Sequence, residues 1–103
     1  MSRKALTDGT GQWFSEDKAE LFKEDTYYNG NNWISKVTGK QGYHEALYLT
    51  KGGKFILNEY SDFSGAVNQY TLIEKDDAAV WFSNNGDEPH PKCEKEFNAL
   101  EIE

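Results

Sequence analysis

The sequence predicts an α+β fold, with an antiparallel sheet of four or five strands and one main helix packed on it. Three observations support this prediction. Aromatic and aliphatic runs alternate with Gly- and Asn-rich turns along residues 20–73. After residue 74 the apolar residues adopt helical spacing. The length of 103 residues is that of a single domain, which we place at residues 1–103.

The first elements follow a turn-forming stretch at residues 7–11 and an apolar anchor at Trp13 and Phe14. Ser15 is placed to cap a helix, because acidic residues follow it directly. Residues 20–28 allow either a continuation of that helix or a strand. We expect a short helical turn followed by the strand.

Two hairpins form the centre of the predicted sheet. A turn at residues 29–32 leads to a strand over 33–38, and a second turn at 39–42 leads to a strand over 43–50. The Gly52-Gly53 pair then joins this strand to residues 55–60, which predicts a hairpin with a primed turn. A further hairpin turns at Ser64-Gly65 into a strand over 67–73.

The main helix is predicted from a change in residue spacing. Acidic residues at 74–77 favour a helix start, and Gly86 favours a left-handed end, which leaves a helix of about ten residues. We expect it to bury Trp81 against the sheet. Residues 89–91 are predicted to be extended. A last short helix over 92–100 is expected to turn Phe97 and Leu100 inward.

The charge is unevenly distributed along the chain. The formal net charge is -7, and residues 74–103 hold nine acidic residues against three lysines. Such acidity disfavours direct binding of nucleic acid or of an anionic membrane surface. It suggests a basic protein partner, although solubility alone also explains it. The lone Cys93 and the absence of an apolar leader predict a cytoplasmic protein.

No set of residues has the spacing of a catalytic or metal site. His90 and Cys93 are three positions apart, but a structural zinc site needs four ligands. Acids beside Cys93 disfavour its thiolate, and His44 lies on a predicted strand. We therefore expect no catalytic residue, no metal and no cofactor. Aromatic residues are more abundant than one sheet face needs, namely Tyr27, Tyr28, Tyr43, Tyr48, Tyr60, Phe63 and Tyr70. Either they form the core and cross-strand pairs, or a few of them are exposed as binding anchors.

Four stretches carry a family resemblance, at residues 6–14, 47–57, 78–82 and 89–91. Together they resemble a family of small acidic bacterial and phage proteins, one group of which acts as type II-A anti-CRISPR proteins. The resemblance implies a protein that inhibits the type II RNA-guided DNA endonuclease of a CRISPR system, with or without its guide RNA, by stoichiometric binding. It supplies no functional-residue motif that maps onto numbered positions.

The charge distribution suggests which residues contact a basic partner. A helix start and an exposed turn hold Asp76, Asp77, Asp87 and Glu88 outward, so we expect these four to form the partner-binding site. Two other functions are possible on the same residues. One is a binding module or antitoxin-like partner of another basic protein, and the other is a small enzyme.

Overall fold

The computed structural model describes residues 3–103, which form eight strands and two α-helices. The strands are β1 Arg3–Ala5, β2 Trp13–Ser15, β3 Glu20–Lys23, β4 Thr26–Tyr28, β5 Trp33–Ser35, β6 Tyr43–Leu49, β7 Phe55–Ser61 and β8 Gln69–Ile73. The helices are α1 Lys75–Asn85 and α2 Glu94–Asn98. All strand pairs are antiparallel. They make a central sheet ordered β3-β6-β7-β8 and two separate ribbons, β1-β2 and β4-β5. A mixed fold with a four-stranded antiparallel sheet is therefore confirmed.

Helix α1 packs on one face of the central sheet. Successive strand residues point to opposite faces, so Leu47, Leu49 and Phe55 share the face toward α1. The helix contributes Ala78, Ala79, Trp81 and Phe82 to the same buried cluster, and Cys93 joins it. Trp81 is only 4% exposed, which confirms its predicted burial. Gly86 ends the helix in the left-handed conformation, at φ 76°, as predicted.

The β1-β2 ribbon covers part of the opposite face. Leu6 and Phe14 pack there with Tyr48, Ile56 and Tyr70. The Thr7 N–H donates to the Tyr70 carbonyl over 2.8 Å, which ties the ribbon to the edge strand β8. A strand at residues 3–5 was not predicted, because Arg-Lys-Ala has no apolar alternation. The helical turn after Ser15 is confirmed as a 3-10 turn over Glu16–Lys18, although the Ser15 side chain makes no capping bond.

The predicted strand over 20–28 is broken in two. β3 pairs with β6 in the central sheet, whereas β4 leaves the sheet and pairs with β5. Asp25 lies at the break, and its N–H donates to the Asn85 side chain instead of a neighbouring strand. The predicted strand over 33–38 also stops early, at Ser35, because the Ser35 carbonyl accepts the Gly39 N–H in a turn.

The Gly52-Gly53 hairpin forms between β6 and β7, but the predicted primed turn is wrong. Of the two glycines only Gly53 has a positive φ, 85°, and its N–H donates to the Thr50 carbonyl. Thr50 and Lys54 close the loop through a further backbone bond of 2.8 Å. This is a three-residue loop with a left-handed glycine at its end, a common alternative to the two-residue primed turn.

Two further boundaries differ from the prediction. β8 begins at Gln69, and Val67 lies in the preceding loop with 77% of its surface exposed. Phe97 packs against the core as expected, but Leu100 is 43% exposed, so its inward placement is wrong. Helix α2 ends at Asn98, which leaves Leu100 beyond the last turn that contacts α1.

Replacing Trp81 with Ala should lower the free energy of unfolding by about 3–5 kcal/mol, because a large buried ring is removed from between α1 and the sheet. Urea denaturation followed by circular dichroism measures this. Val80→Ala is the control, since Val80 lies on the same helix and is 42% exposed. Equal effects of the two variants would contradict the packing of α1 described here.

Candidate functional site

The first pair of predicted binding residues lies at the start of α1. Asp76 and Asp77 are both exposed in its first turn. Asp77 also stabilises the start of the helix, because its carboxylate accepts the Glu74 N–H over 3.4 Å in a capping box. Asp76 lines a groove of about 340 Å³ with Glu74 and with Glu96 from α2. The fold thus brings Glu96, which is twenty positions away from Asp76 in the sequence, to this end of the helix.

The second predicted pair, Asp87 and Glu88, follows the other end of α1, and both residues are exposed. A helix of eleven residues is about 16 Å long, so it holds the two acidic pairs apart. The structure therefore places all four residues at the surface but does not bring them together as one cluster. Each end of α1 carries its own acidic pair.

A buried asparagine connects the second acidic pair to the β4-β5 ribbon. Asn85 is 1% exposed, and its side-chain oxygen accepts the Asp25 N–H over 2.6 Å. Its side-chain nitrogen donates to the Lys23 carbonyl and to the Asp87 carboxylate. The base of the ribbon is consequently fixed beside the carboxyl end of α1. Asp87 and the base of the ribbon are therefore both held by Asn85.

The β4-β5 ribbon exposes three large aromatic side chains. Tyr27, Tyr28 and Trp33 are 46%, 56% and 64% exposed. The Tyr28 and Trp33 rings contact each other across the two strands, with centroids 5.3 Å apart. The Asn29 side chain accepts the backbone N–H groups of Asn31 and Asn32 and so fixes the turn between the strands. We call Tyr27, Tyr28 and Trp33 the aromatic ribbon.

The other aromatic residues divide between core and surface. Tyr48 and Tyr70 are buried under the β1-β2 ribbon. Tyr43, Tyr60 and Phe63 are exposed, and the Tyr43 and Phe63 rings contact each other 5.3 Å apart. Core packing therefore accounts for Tyr48 and Tyr70, and the other residues of this set are at the surface. Five of the seven aromatic residues considered as possible anchors are exposed: Tyr27, Tyr28, Tyr43, Tyr60 and Phe63.

A polar cluster surrounds His44 on the sheet face opposite α1. The Nδ1 atom of His44 lies 2.7 Å from the Glu24 carboxylate, and Nε2 lies 2.9 Å from that of Asp62. Glu24 also accepts the Glu45 N–H over 2.6 Å. The imidazole ring stacks on Tyr60, with an angle of 25° between the ring planes. The cluster joins three segments, the end of β3, strand β6 and the loop after β7.

This cluster favours a charged, fully bonded imidazole. The hydrogen bond that His44 donates to the Asp62 carboxylate raises the pKa of His44 most, and Glu24 adds to it, while partial burial acts in the opposite direction. Burial raises the pKa of the neighbouring Tyr60 phenol, because it disfavours the phenolate. With a carboxylate on each ring nitrogen, the imidazolium stabilises the loop and has no free nitrogen to accept a proton from a substrate. Spacing along the sequence could not reveal the cluster, because Glu24 and Asp62 lie twenty and eighteen positions from His44.

Cys93 and His90 lie close together but have structural surroundings. Cys93 is fully buried, and burial raises the pKa of its thiol, with a further contribution from Glu96. Its thiol donates to the His90 carbonyl over 3.5 Å. The Nδ1 atom of His90 accepts the Lys92 N–H and caps the following 3-10 turn. Across residues 3–103 no group of His, Cys, Asp and Glu side chains is arranged to hold a metal ion.

Comparison of the chain with protein-family models, with curated proteins and with solved structures found no match. Within the described part of the chain, no helix has both the length and the apolar character needed to cross a membrane. Three groups of side chains could contact a partner or titrate: the acidic ends of α1, the aromatic ribbon and the His44 cluster. Asn85 links the base of the ribbon to Asp87 at the carboxyl end of α1 only.

The His44 cluster predicts a pH dependence of stability. The folded pKa of His44 is raised above its ordinary value of 6.5, so the stabilisation is fully present below that pH. It is lost as the pH rises through the folded pKa. Urea denaturation between about pH 6 and about pH 9 should show this decline in the parent protein.

His44→Gln is the matched variant, since Gln keeps a hydrogen-bond donor but does not titrate in this range. It should unfold with a flatter pH dependence than the parent. The other ionisable groups around the ring, Glu24, Glu45, Tyr60 and Asp62, are unchanged in this variant. Parallel pH profiles of the two proteins would contradict a charged His44.

Proposed function

We propose that this protein acts by stoichiometric binding of a basic protein partner, through the aromatic ribbon and the acidic ends of α1. On the family resemblance, we further propose that the partner is the type II RNA-guided DNA endonuclease, with or without guide RNA, and that the protein is an anti-CRISPR inhibitor. The observation that carries the binding function is the aromatic ribbon, in which Trp33 is 64% exposed.

Exposed aromatic residues are typical anchors of protein interfaces. Tyr and Trp bury a large area with few rotatable bonds, and they dominate the residues whose removal weakens binding. A lone exposed ring has no such meaning, because folded proteins expose many apolar atoms. Here three rings stand on one short ribbon, and two of them are in contact. Tyr28 and Trp33 are direct cross-strand partners and share one face of the ribbon, whereas Tyr27 points to the other face. The Tyr28–Trp33 pair therefore presents a preformed aromatic surface to a partner.

The adjoining acids indicate the charge of that partner. Asn85 links Asp87 to the base of the ribbon, Glu88 follows Asp87 in the sequence, and Asp76 and Asp77 are exposed at the other end of α1. A negative surface speeds encounter with a positive one and rejects acidic proteins. RNA-guided nucleases hold guide and target in positively charged channels, which an acidic protein can occupy in place of phosphates. A bacterial nuclease of this kind would place the protein in the cytoplasm.

The nuclease assignment predicts stoichiometric inhibition in a plasmid-cleavage assay. Adding the protein to the purified nuclease, before or after guide RNA, should stop cleavage once the two proteins reach equal amounts. Unchanged cleavage in both orders of addition, at a large excess of this protein, would contradict the nuclease assignment. Another basic protein would then be the partner, and the surface tests below would be made with a partner captured on the immobilised chain.

The aromatic ribbon can be tested by a matched pair of variants. Trp33→Ala should weaken binding by about 2 kcal/mol or more, because an exposed Trp at an interface centre is a typical hot spot. Trp13→Ala is the control, since Trp13 is 54% exposed and lies on the β1-β2 ribbon. Equal losses of affinity in a titration by calorimetry would exclude the aromatic ribbon as the contact surface.

The acidic residues should act mainly on the rate of association. Changing Asp76, Asp77 and Asp87 to Asn and Glu88 to Gln should slow association and flatten its salt dependence, as exposed charges act through a screened field. Asn and Gln keep an oxygen for the Glu74 and Asn85 hydrogen bonds.

The control variant neutralises four other exposed acids, Asp17, Glu59, Glu101 and Glu103, for the same change in net charge. Surface plasmon resonance across a salt series compares the two sets. If the control set slows association as much as the first, net charge alone steers the encounter and the ends of α1 are not the contact.

A further inference from the structure

A cleft of about 350 Å³ lies between the β1-β2 ribbon and the turn that joins β6 to β7. Ile56 and Leu72, which pair on the sheet face opposite α1, line it together with Leu6 and Phe14. Small-molecule pockets have volumes of roughly 300–1,000 Å³ and a mostly apolar lining with a few polar groups. The cleft lies at the lower end of that range, which favours a ligand with a single ring system.

The polar groups of this cleft are unusual for so acidic a chain. Lys18, Lys51 and Lys54 line it, and none of its lining residues is Asp or Glu. The whole sequence has 18 acidic against 11 basic residues. Within residues 3–103 these three lysines take part in no ion pair. Lys54 also lines the groove at the start of α1, together with Lys75 and the acids Glu74, Asp76 and Glu96, but it forms an ion pair with none of them.

A fourth ammonium group reinforces the positive potential at this turn. The Nζ atom of Lys92 lies 3.5 Å from the position that a β-carbon on Gly53 would take. Uncompensated cations at the edge of an apolar cleft attract an anion, and the apolar lining strengthens the attraction by lowering the local dielectric constant. The charge of the cleft is therefore opposite to that of the acidic surface beside α1.

An exposed indole ring supplies a surface for a planar group. Trp13 lines the cleft and is 54% exposed, and the Arg3 guanidinium lies 4.9 Å from the centre of its ring. Aromatic rings and nucleobases stack on such side chains. An indole ring, an apolar lining and three free ammonium groups together match a molecule with a flat ring at one end and an anionic group at the other.

We infer that this cleft binds a small organic anion with a planar ring, such as an aryl carboxylate or a nucleoside monophosphate. The ring lies against Trp13 and the apolar lining, and the anionic group contacts Lys18, Lys51 and Lys54. The site is on the sheet face opposite α1, so it is separate from the proposed protein-binding surface. It does not depend on the identity of any protein partner.

Two-dimensional ¹H–¹⁵N NMR titrations of the full chain test the site with two probes, adenosine monophosphate and 2-naphthoate. Binding should shift the Trp13 indole signal and the backbone signals of residues 50–54, and the stronger probe identifies the ligand class. Adenosine and inorganic phosphate, which each lack one half of the ligand, should bind at least about tenfold more weakly.

Variants then locate the site. Changing Lys18, Lys51 and Lys54 to Gln should weaken binding of the stronger probe at least about tenfold, whereas changing the exposed Lys40, Lys75 and Lys95 to Gln should leave it unchanged. Trp13→Leu, which keeps an apolar side chain, should weaken it about tenfold by removing the stacking surface. No shift with either probe at millimolar concentration, or equal effects of the two lysine triples, would overturn the inference.

Discussion

The buried amide of Asn85 is the interaction on which the arrangement of the proposed binding surface depends. It accepts the N–H of Asp25 and donates to the Lys23 carbonyl and the Asp87 carboxylate. A buried amide with unmade hydrogen bonds costs about 1–3 kcal/mol, so the three partners are held near it. The chain is thereby drawn out of the central sheet after β3. Without that departure, residues 26–28 would continue the sheet edge, and Tyr27 and Tyr28 would not stand on a separate ribbon beside α1.

The two faces of the central sheet are covered in different ways. One face is sealed by α1 through aromatic and aliphatic contacts, among them Trp81 and Phe82. The other is only partly covered by the β1-β2 ribbon, and its open end is closed by hydrogen bonds around His44. Polar contacts of this kind hold the loop after β7 without a large apolar core. A chain of 103 residues buries limited apolar surface, so such contacts have a relatively large share in fixing its loops.

Charge follows the same division. Acidic residues concentrate around α1 and its ends, whereas the cleft on the opposite face is lined by lysines and by no acid. A net charge of -7 describes neither surface. Because screening limits each field to about 10 Å, a partner on one side of the sheet responds to the local charge there. The basic protein and the small anion that we propose as ligands are therefore assigned to different faces of the same domain.

The sequence by itself determined the elements whose signals are local. Backbone preferences within a few residues determine the positions of the Gly52-Gly53 loop, the turn at residues 29–32 and the helix end at Gly86. The burial of Trp81 follows from the periodicity of one helix. The exposure of Asp76, Asp77, Asp87 and Glu88 followed from the same reasoning. Tertiary structure alone decided what depends on contacts between distant residues. The break after β3 requires Asn85, and the His44 cluster requires Glu24 and Asp62 from other segments. The docking of the β1-β2 ribbon decides that Lys18 meets Lys51 and Lys54 in one cleft. Hydrogen bonds and charges act over a few ångströms in space, whatever the separation along the chain, and no local pattern records which distant groups the fold brings within that range.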